Sequence, residues 1–227
     1  LKPKPYVLKT RTVILIILAI ILADQGLKFW VKLNMEYHEQ IPIIGSWFRL
    51  YFIENEGMAW GWKFGGETGK LLLTLFRLIA VIFGVFYIKS LLKKKEHPGF
   101  IICVALIFSG ALGNLIDSMF YGMIFSASEY GYPVATLFPE GGGYAGFMHG
   151  RVVDMLYAPI IEDKVLPNWI PVWGGNEFTF FSPIFNIADA SISIGVMAIL
   201  IFQGKFFKKS EHPEKENPSD LQPGKQH

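Results

Sequence analysis

Asp189 stands inside residues 184–202, a run otherwise apolar enough to enter a bilayer. A carboxylate there costs roughly 2.5–3.5 kcal/mol on insertion scales, so it requires a partner or a task. Asp154 closes the string Gly150-Arg151-Val152-Val153-Asp154 and is the natural partner, with Arg151 the base nearest to it in sequence. Two acids sharing a site do not both ionise easily: one proton is shared and one pKa rises. That makes poor helix glue and good acid–base chemistry. The pair therefore points to hydrolysis by a water activated between two carboxyl groups.

The other polar groups in apolar surroundings fall at helical spacings. Asp24 and Lys28 are four apart and share a face, while Asn114 and Asp117, like Asn186 and Asp189, are three apart. Ser193 lies one turn beyond Asp189, and Arg77 sits early in another apolar segment. Groups of this kind face the interior of a helix bundle and satisfy one another. Interhelical hydrogen bonds are worth about 0.6–2 kcal/mol in membranes. For Asn114, Asn186 and the Asp24–Lys28 pair, a scaffold role and a role at the site both stay open.

The elements that must position these residues follow from the apolar runs. The chain has 227 residues, 52% of them hydrophobic, a balance that excludes an ordinary soluble domain. Four segments, about 12–31, 71–92, 100–121 and 184–203, have the roughly 20 apolar residues that a ~30 Å hydrocarbon core demands. The expected fold is an all-α membrane protein, a four-helix transmembrane bundle forming one membrane domain over 1–205, with a polar, disordered tail over 206–227. Segment 41–64, rich in aromatic and β-branched residues with Gly breaks, reads as a small sheet or hairpin. The Gly- and Pro-rich stretches 122–149 and 158–182 read as loops.

Charge sets the expected orientation. Lys2, Lys4, Lys9 and Arg11 precede the first segment, Lys89 and Lys93–Lys95 separate the second and third, and Lys205, Lys208 and Lys209 follow the fourth. The positive-inside rule then puts both termini in the cytoplasm and the sheet and loops on the outer, periplasmic face. Trp30, Trp47, Trp60, Trp62, Trp169 and Trp173 all fall on that outer side, as an aromatic belt would. Cys103 is the single cysteine, so no intramolecular disulfide forms, and its apolar setting makes it a small buried hydrophobe.

Five ordered blocks carry a family resemblance: Asp24-Gln25-x-Leu27-Lys28; Asn55-x-Gly57-Met58-Ala59-Trp60-Gly61; Ser109-Gly110-Ala111-Leu112-Gly113-Asn114-Leu115-Ile116-Asp117; Gly150-x-Val152-Val153-Asp154; and Phe185-Asn186-Ile187-Ala188-Asp189. On these, over roughly residues 10–205, the chain resembles the lipoprotein signal peptidases, the type II signal peptidases of bacterial inner membranes. The resemblance implies an aspartyl protease with Asp154 and Asp189 as the catalytic dyad. Asp24, Lys28, Asn55, Gly57, Asn114, Asp117, Arg151 and Asn186 become substrate-binding or supporting residues. It further implies cleavage before a diacylglyceryl-modified cysteine of a prolipoprotein, near the periplasmic face, with the sheet over 41–64 cradling the substrate. No cofactor, metal or nucleic acid is expected, and the partners are the prolipoprotein and membrane lipid, with the enzyme a monomer. One departure stands out: the family often has Arg directly after the Gly-Asn-x-x-Asp string, and this chain has Ser118, for which Arg77 or Arg151 are the candidate replacements.

Other classes fit less well. A metalloprotease lacks its His-Glu-x-x-His string, and His38, His97, His149, His212 and His227 are scattered. A serine-type protease would need a base near Ser109 or Ser193, and none is evident. The alternative from another class is a small proton-coupled transporter using the same acids as a relay. It expects polar groups at several depths, whereas these gather in one layer. A non-catalytic scaffold expects both aspartates to tolerate Asn.

Overall fold

A computed structural model of the chain describes residues 7–55, 66–169, 175–180 and 182–207. Helix α1 spans Thr10–Asn34, followed by strands β1 (Gln40–Ile44) and β2 (Phe48–Asn55). Helix α2 covers Gly66–Lys94, and α3 covers Pro98–Ile116. A π-helical turn over Asp117–Tyr121 and the short α4, Gly122–Ile124, continue α3 without a break. Strands β3 (Val152–Tyr157), β4 (Ile161–Val165), β5 (Glu177–Phe180) and β6 (Ile184–Phe185) precede α5, Ile187–Phe206. The helices over Thr10–Asn34, Gly66–Lys94, Pro98–Ile124 and Ile187–Phe206 are long and apolar enough to cross a membrane.

Local chemistry fixes the helix ends. His97 Nδ1 accepts from the Gly99 N–H at 3.1 Å and Pro98 occupies the first turn, so α3 starts there. The fourth apolar segment begins at 184 by hydropathy, yet its helix begins at Ile187. Asn186 adopts extended backbone and its Oδ1 caps the Asp189 N–H at 2.8 Å, leaving Ile184 and Phe185 to form β6.

Helix α3 is the hub, packing against α1, α2 and α5. Small residues let the helices approach: a Cβ at Gly110 would fall 2.2 Å from the Ala188 carbonyl oxygen, and one at Gly195 would fall 2.7 Å from that of Cys103. Apolar side chains also cover the outside of the bundle; Leu22, Phe76, Phe83 and Ile201 are each about two-thirds exposed or more. Helices that are hydrophobic on every face need lipid around them.

Strands β1-β2-β3-β6 form one antiparallel sheet, and β4-β5 a separate hairpin. Of the segment 41–64 expected to form a sheet, residues 56–64 lie outside the described residues; β1 and β2 occupy the rest, and the sheet extends beyond it because β3 inserts beside β2 with Ile53 opposite Asp154. The stretch 158–182, expected to be a loop, carries β4 and β5. Val31, Met35, Phe52, Tyr121, Phe125, Val153 and Met155 make the core that joins the sheet to the Asn34 end of α1 and the π turn. A second core, with Val13, Ile88 and Ile101, closes the opposite end of the bundle.

Candidate functional site

The polar residues inside the bundle meet where the sheet joins it. Lys28, fully buried, is held by Asp24 Oδ2 at 2.9 Å, Asp117 Oδ2 at 2.7 Å and Asn114 Oδ1 at 2.9 Å. Gln25 donates to Asp24 at 3.1 Å and to Asp117 Oδ1 at 2.8 Å, and accepts from the Tyr121 hydroxyl at 3.1 Å. Asp24 also accepts from the Ala188 N–H, an unpaired donor in the first turn of α5, at 2.8 Å. Asp117 accepts from the Val153 N–H at 3.3 Å. One buried cation and two carboxylates thereby tie α1, α3, β3 and the start of α5 together.

Asp154 and Asp189 hang from this frame. Asn186 Nδ2 donates to Asp154 Oδ1 at 2.7 Å, while Asn114 Nδ2 donates to Asp189 Oδ1 at 2.8 Å. The two amides also meet, Asn186 Nδ2 lying 3.1 Å from Asn114 Oδ1. Asp154, in the central strand β3, is 2% exposed. Burial first, and then the charge of Asp189, push its carboxyl up to about 7; Lys28 and hydrogen bonds from Asn55 and Asn186 oppose that rise. The pair can thus hold one proton and one negative charge near neutral pH, the state that activates water at one carboxyl and polarises a carbonyl with the other.

Asp24, Lys28, Asn55, Asn114, Asp117, Asn186, Asp154 and Asp189 are therefore brought to one place, and Gly57 lies outside the described residues. Arg151 is different. It stands three residues from Asp154, and side chains an odd number apart on a strand point to opposite faces. Its guanidinium instead reaches Glu54 at 3.4 Å and lies over the Tyr144 ring at 5.3 Å. Glu54 also pairs with the fully buried Lys32, whose Nζ donates to Ser128 Oγ at 2.8 Å. This second buried cluster escaped sequence reading because its members come from α1, β2 and the stretch 122–149, with no shared local spacing. At position 118, Arg77 Nη1 donates to Ser118 Oγ at 2.9 Å and lies within electrostatic reach of Asp189, Asp117 and Asp154. Of the two candidate cations, Arg77 is the one beside Ser118.

A helical bundle with a buried and a half-buried acid beside a small sheet defines a two-carboxylate site in a chain whose helices are able to cross a membrane. The profile of the signal peptidase (SPase) II family matches residues 16–205. A lipoprotein signal peptidase of Porphyromonas gingivalis is 47% identical over 192 residues, spanning 84% of this chain and 82% of its own. One from Amoebophilus asiaticus is 38% identical over 189 residues, spanning 82% and 75%. A bacterial membrane enzyme solved in meso at 2.3 Å superposes with a TM-score of 0.57 at 25% identity, covering 92% of this chain and 98% of that one. A second, at 1.9 Å, gives 0.53 at 26% identity, covering 87% and 95%. The chain belongs to the signal peptidase II family.

Proposed function

We propose that the protein is an aspartic endopeptidase that removes the signal peptide from diacylglyceryl-modified prolipoproteins, cutting before the lipidated cysteine. The observation that carries this reading is the coupling of Asp154 to Asp189 through Asn186 and Asn114. Membership of the signal peptidase II family supports the reaction class. The transporter alternative has no comparable support, since the polar groups occupy a single layer of the bundle.

Asp154 keeps the proton, because it is buried and faces a second acid. Asp189 then stands as the carboxylate and takes a proton from water placed between the two. As that oxygen adds to the scissile carbonyl, Asp154 donates its hydrogen to the developing oxyanion. The gem-diol collapses as a carboxyl returns a proton to the leaving amine. No acyl-enzyme forms. Asn114 and Asn186 keep the carboxyls oriented, and the Asp24–Lys28–Asp117 frame positions the helix turn bearing Asp189.

In the proposed orientation both termini are cytoplasmic and the site lies near the periplasmic face of the inner membrane, with the protein acting as a monomer. The exposed Trp30, Trp47 and Trp169 at the sheet end support it. The test is cleavage of a synthetic diacylglyceryl lipopeptide by purified protein, wild type against Asp154→Asn and Asp189→Asn. Both variants should fold and show no cleavage. A near-normal rate from Asp189→Asn overturns the assignment.

A further inference from the structure

The frame described above leaves unexplained how a lipid tail is received. Below the polar cluster, a cavity of about 330 Å³ opens between α2 and α3, with Ile199 of α5 at its back. Its α3 wall includes Ala111, Val104 and Phe100, three, ten and fourteen residues before Asn114. At 3.6 residues per turn these lie on the helix face that carries Asn114. Its α2 wall includes Ala80, Gly84 and Tyr87, three, seven and ten residues after Arg77, so on the face of α2 that touches Ser118. The groove therefore begins about one helical turn from Asn114 and runs down the helices toward the Pro98 end of α3.

Dimensions and chemistry select the occupant. Ala111 to Phe100 is eleven residues, about 16 Å of helix at 1.5 Å per residue. Half of a ~30 Å hydrocarbon core, the reach of one extended acyl chain, is about 15 Å. Apolar side chains line the groove throughout, apart from the Tyr87 hydroxyl, and the half-exposed rim leaves it open to the side where lipid lies. At Gly84 an added Cβ would fall 2.7 Å from the Phe108 ring, so the absence of a side chain there keeps the floor from being pushed into the opening.

Resting on the reading of the substrate as diacylglyceryl-modified, we propose that this groove seats one acyl chain of the lipidated cysteine. A tail leaving bilayer for protein gains little from the hydrophobic effect, since lipid is already apolar. Its benefit is orientation: a chain lying in the groove places the glyceryl-cysteine at the Asn114 level, and the scissile bond at the acids. The groove thus acts as a ruler on tail length.

The test measures kcat/KM in detergent for one lipopeptide carrying matched tails of about 8 or about 16 carbons, chosen to fall short of or fill the ~15 Å half-core. The wild type should prefer the long tails at least tenfold. Ala80→Trp, which blocks the upper groove, should abolish most of that preference, whereas Ile82→Trp, on the exposed face of α2, should keep it. A preference unchanged by Ala80→Trp overturns the proposal. Should Ala80→Trp fail to fold, full-length Asp189→Asn is irradiated with a substrate bearing a diazirine at mid-chain. Labelling of α2 and α3 at Gly84 and Val104 supports the groove; labelling confined to other lipid-facing surfaces overturns it. The two readings fail separately: a tailless peptide cut as fast as the lipidated one defeats the substrate assignment, and an active Asp189→Asn defeats the dyad.

Discussion

Replacing Asp154 with Asn removes an ionisable group while keeping its shape. The Asn oxygen still accepts from Asn186 Nδ2, and its N–H occupies the place of the acid's hydroxyl. In the folded protein Asp154 holds its proton up to about 7, against 3.8 for a free carboxyl. Between those values the unfolded chain binds fewer protons at this position than the folded one, so stability falls as pH rises. The contribution is fully present below about pH 4 and lost by about pH 7–8. A displacement of about 3 pH units at about 1.36 kcal/mol each gives a loss on the order of 4 kcal/mol. Asp154→Asn escapes that loss. At pH 8 it should unfold on the order of 10 °C above the wild type, at roughly 2–4 °C per kcal/mol for a chain of this size. At about pH 4 the two should nearly coincide, the gap opening steadily from there to about pH 7. The assay is thermal unfolding of both proteins in the same detergent across pH 4–8; their difference cancels every titrating group that does not interact with Asp154. A difference that does not change with pH, or a variant less stable than wild type at pH 8, refutes the reasoning about how the pair is charged.

Two further outcomes follow from the frame around the acids. Lys28→Met leaves Asp24 and Asp117 buried without their cation and should cost roughly 3–5 kcal/mol. Adding Asp117→Asn should recover part of that; equilibrium unfolding in detergent measures both, and a loss under about 1 kcal/mol for the single variant contradicts the frame. Gly110→Ala places a Cβ 2.2 Å from the Ala188 oxygen and must part α3 from α5. It should cost roughly 1–3 kcal/mol in unfolding and lower cleavage much further, because Asn114 and Asp189 ride on the two helices that separate; a rate near that of wild type would show the contact is tolerated.

What could be read from the sequence was what local spacing encodes. Asp24 and Lys28 pair because four residues make one helical turn, and the cap at Asn186 belongs to the same short string as Asp189. The four apolar runs became four helices for the same reason. Long-range register was hidden. The three-residue spacing of Arg151 and Asp154 separates them only once β3 is a strand, and nothing near Arg151 in sequence names Glu54 as its partner or says that Lys32 lies under Phe125 and Tyr144. The β4–β5 hairpin emerges from a stretch whose prolines and glycines signalled only interruption, since its pairing of Ile161 with Phe180 spans residues far apart along the chain. The π turn at Asp117 likewise leaves no mark in a run of helix-compatible residues.

Strand β3 pairs directly with β6, Leu156 opposite Phe185, and Asn186 follows at once. Asp154 therefore hangs from this backbone ladder, and Asp189 from the first turn of α5, which starts where the ladder ends. Helices embedded in lipid tilt as the surrounding film thins or thickens. Because Asp189 sits at the ladder end of α5, tilting of that helix is expected to move its far end more than the carboxyl group. Enzyme placed in vesicles of short-chain and long-chain lipids should keep the same chemical step in both.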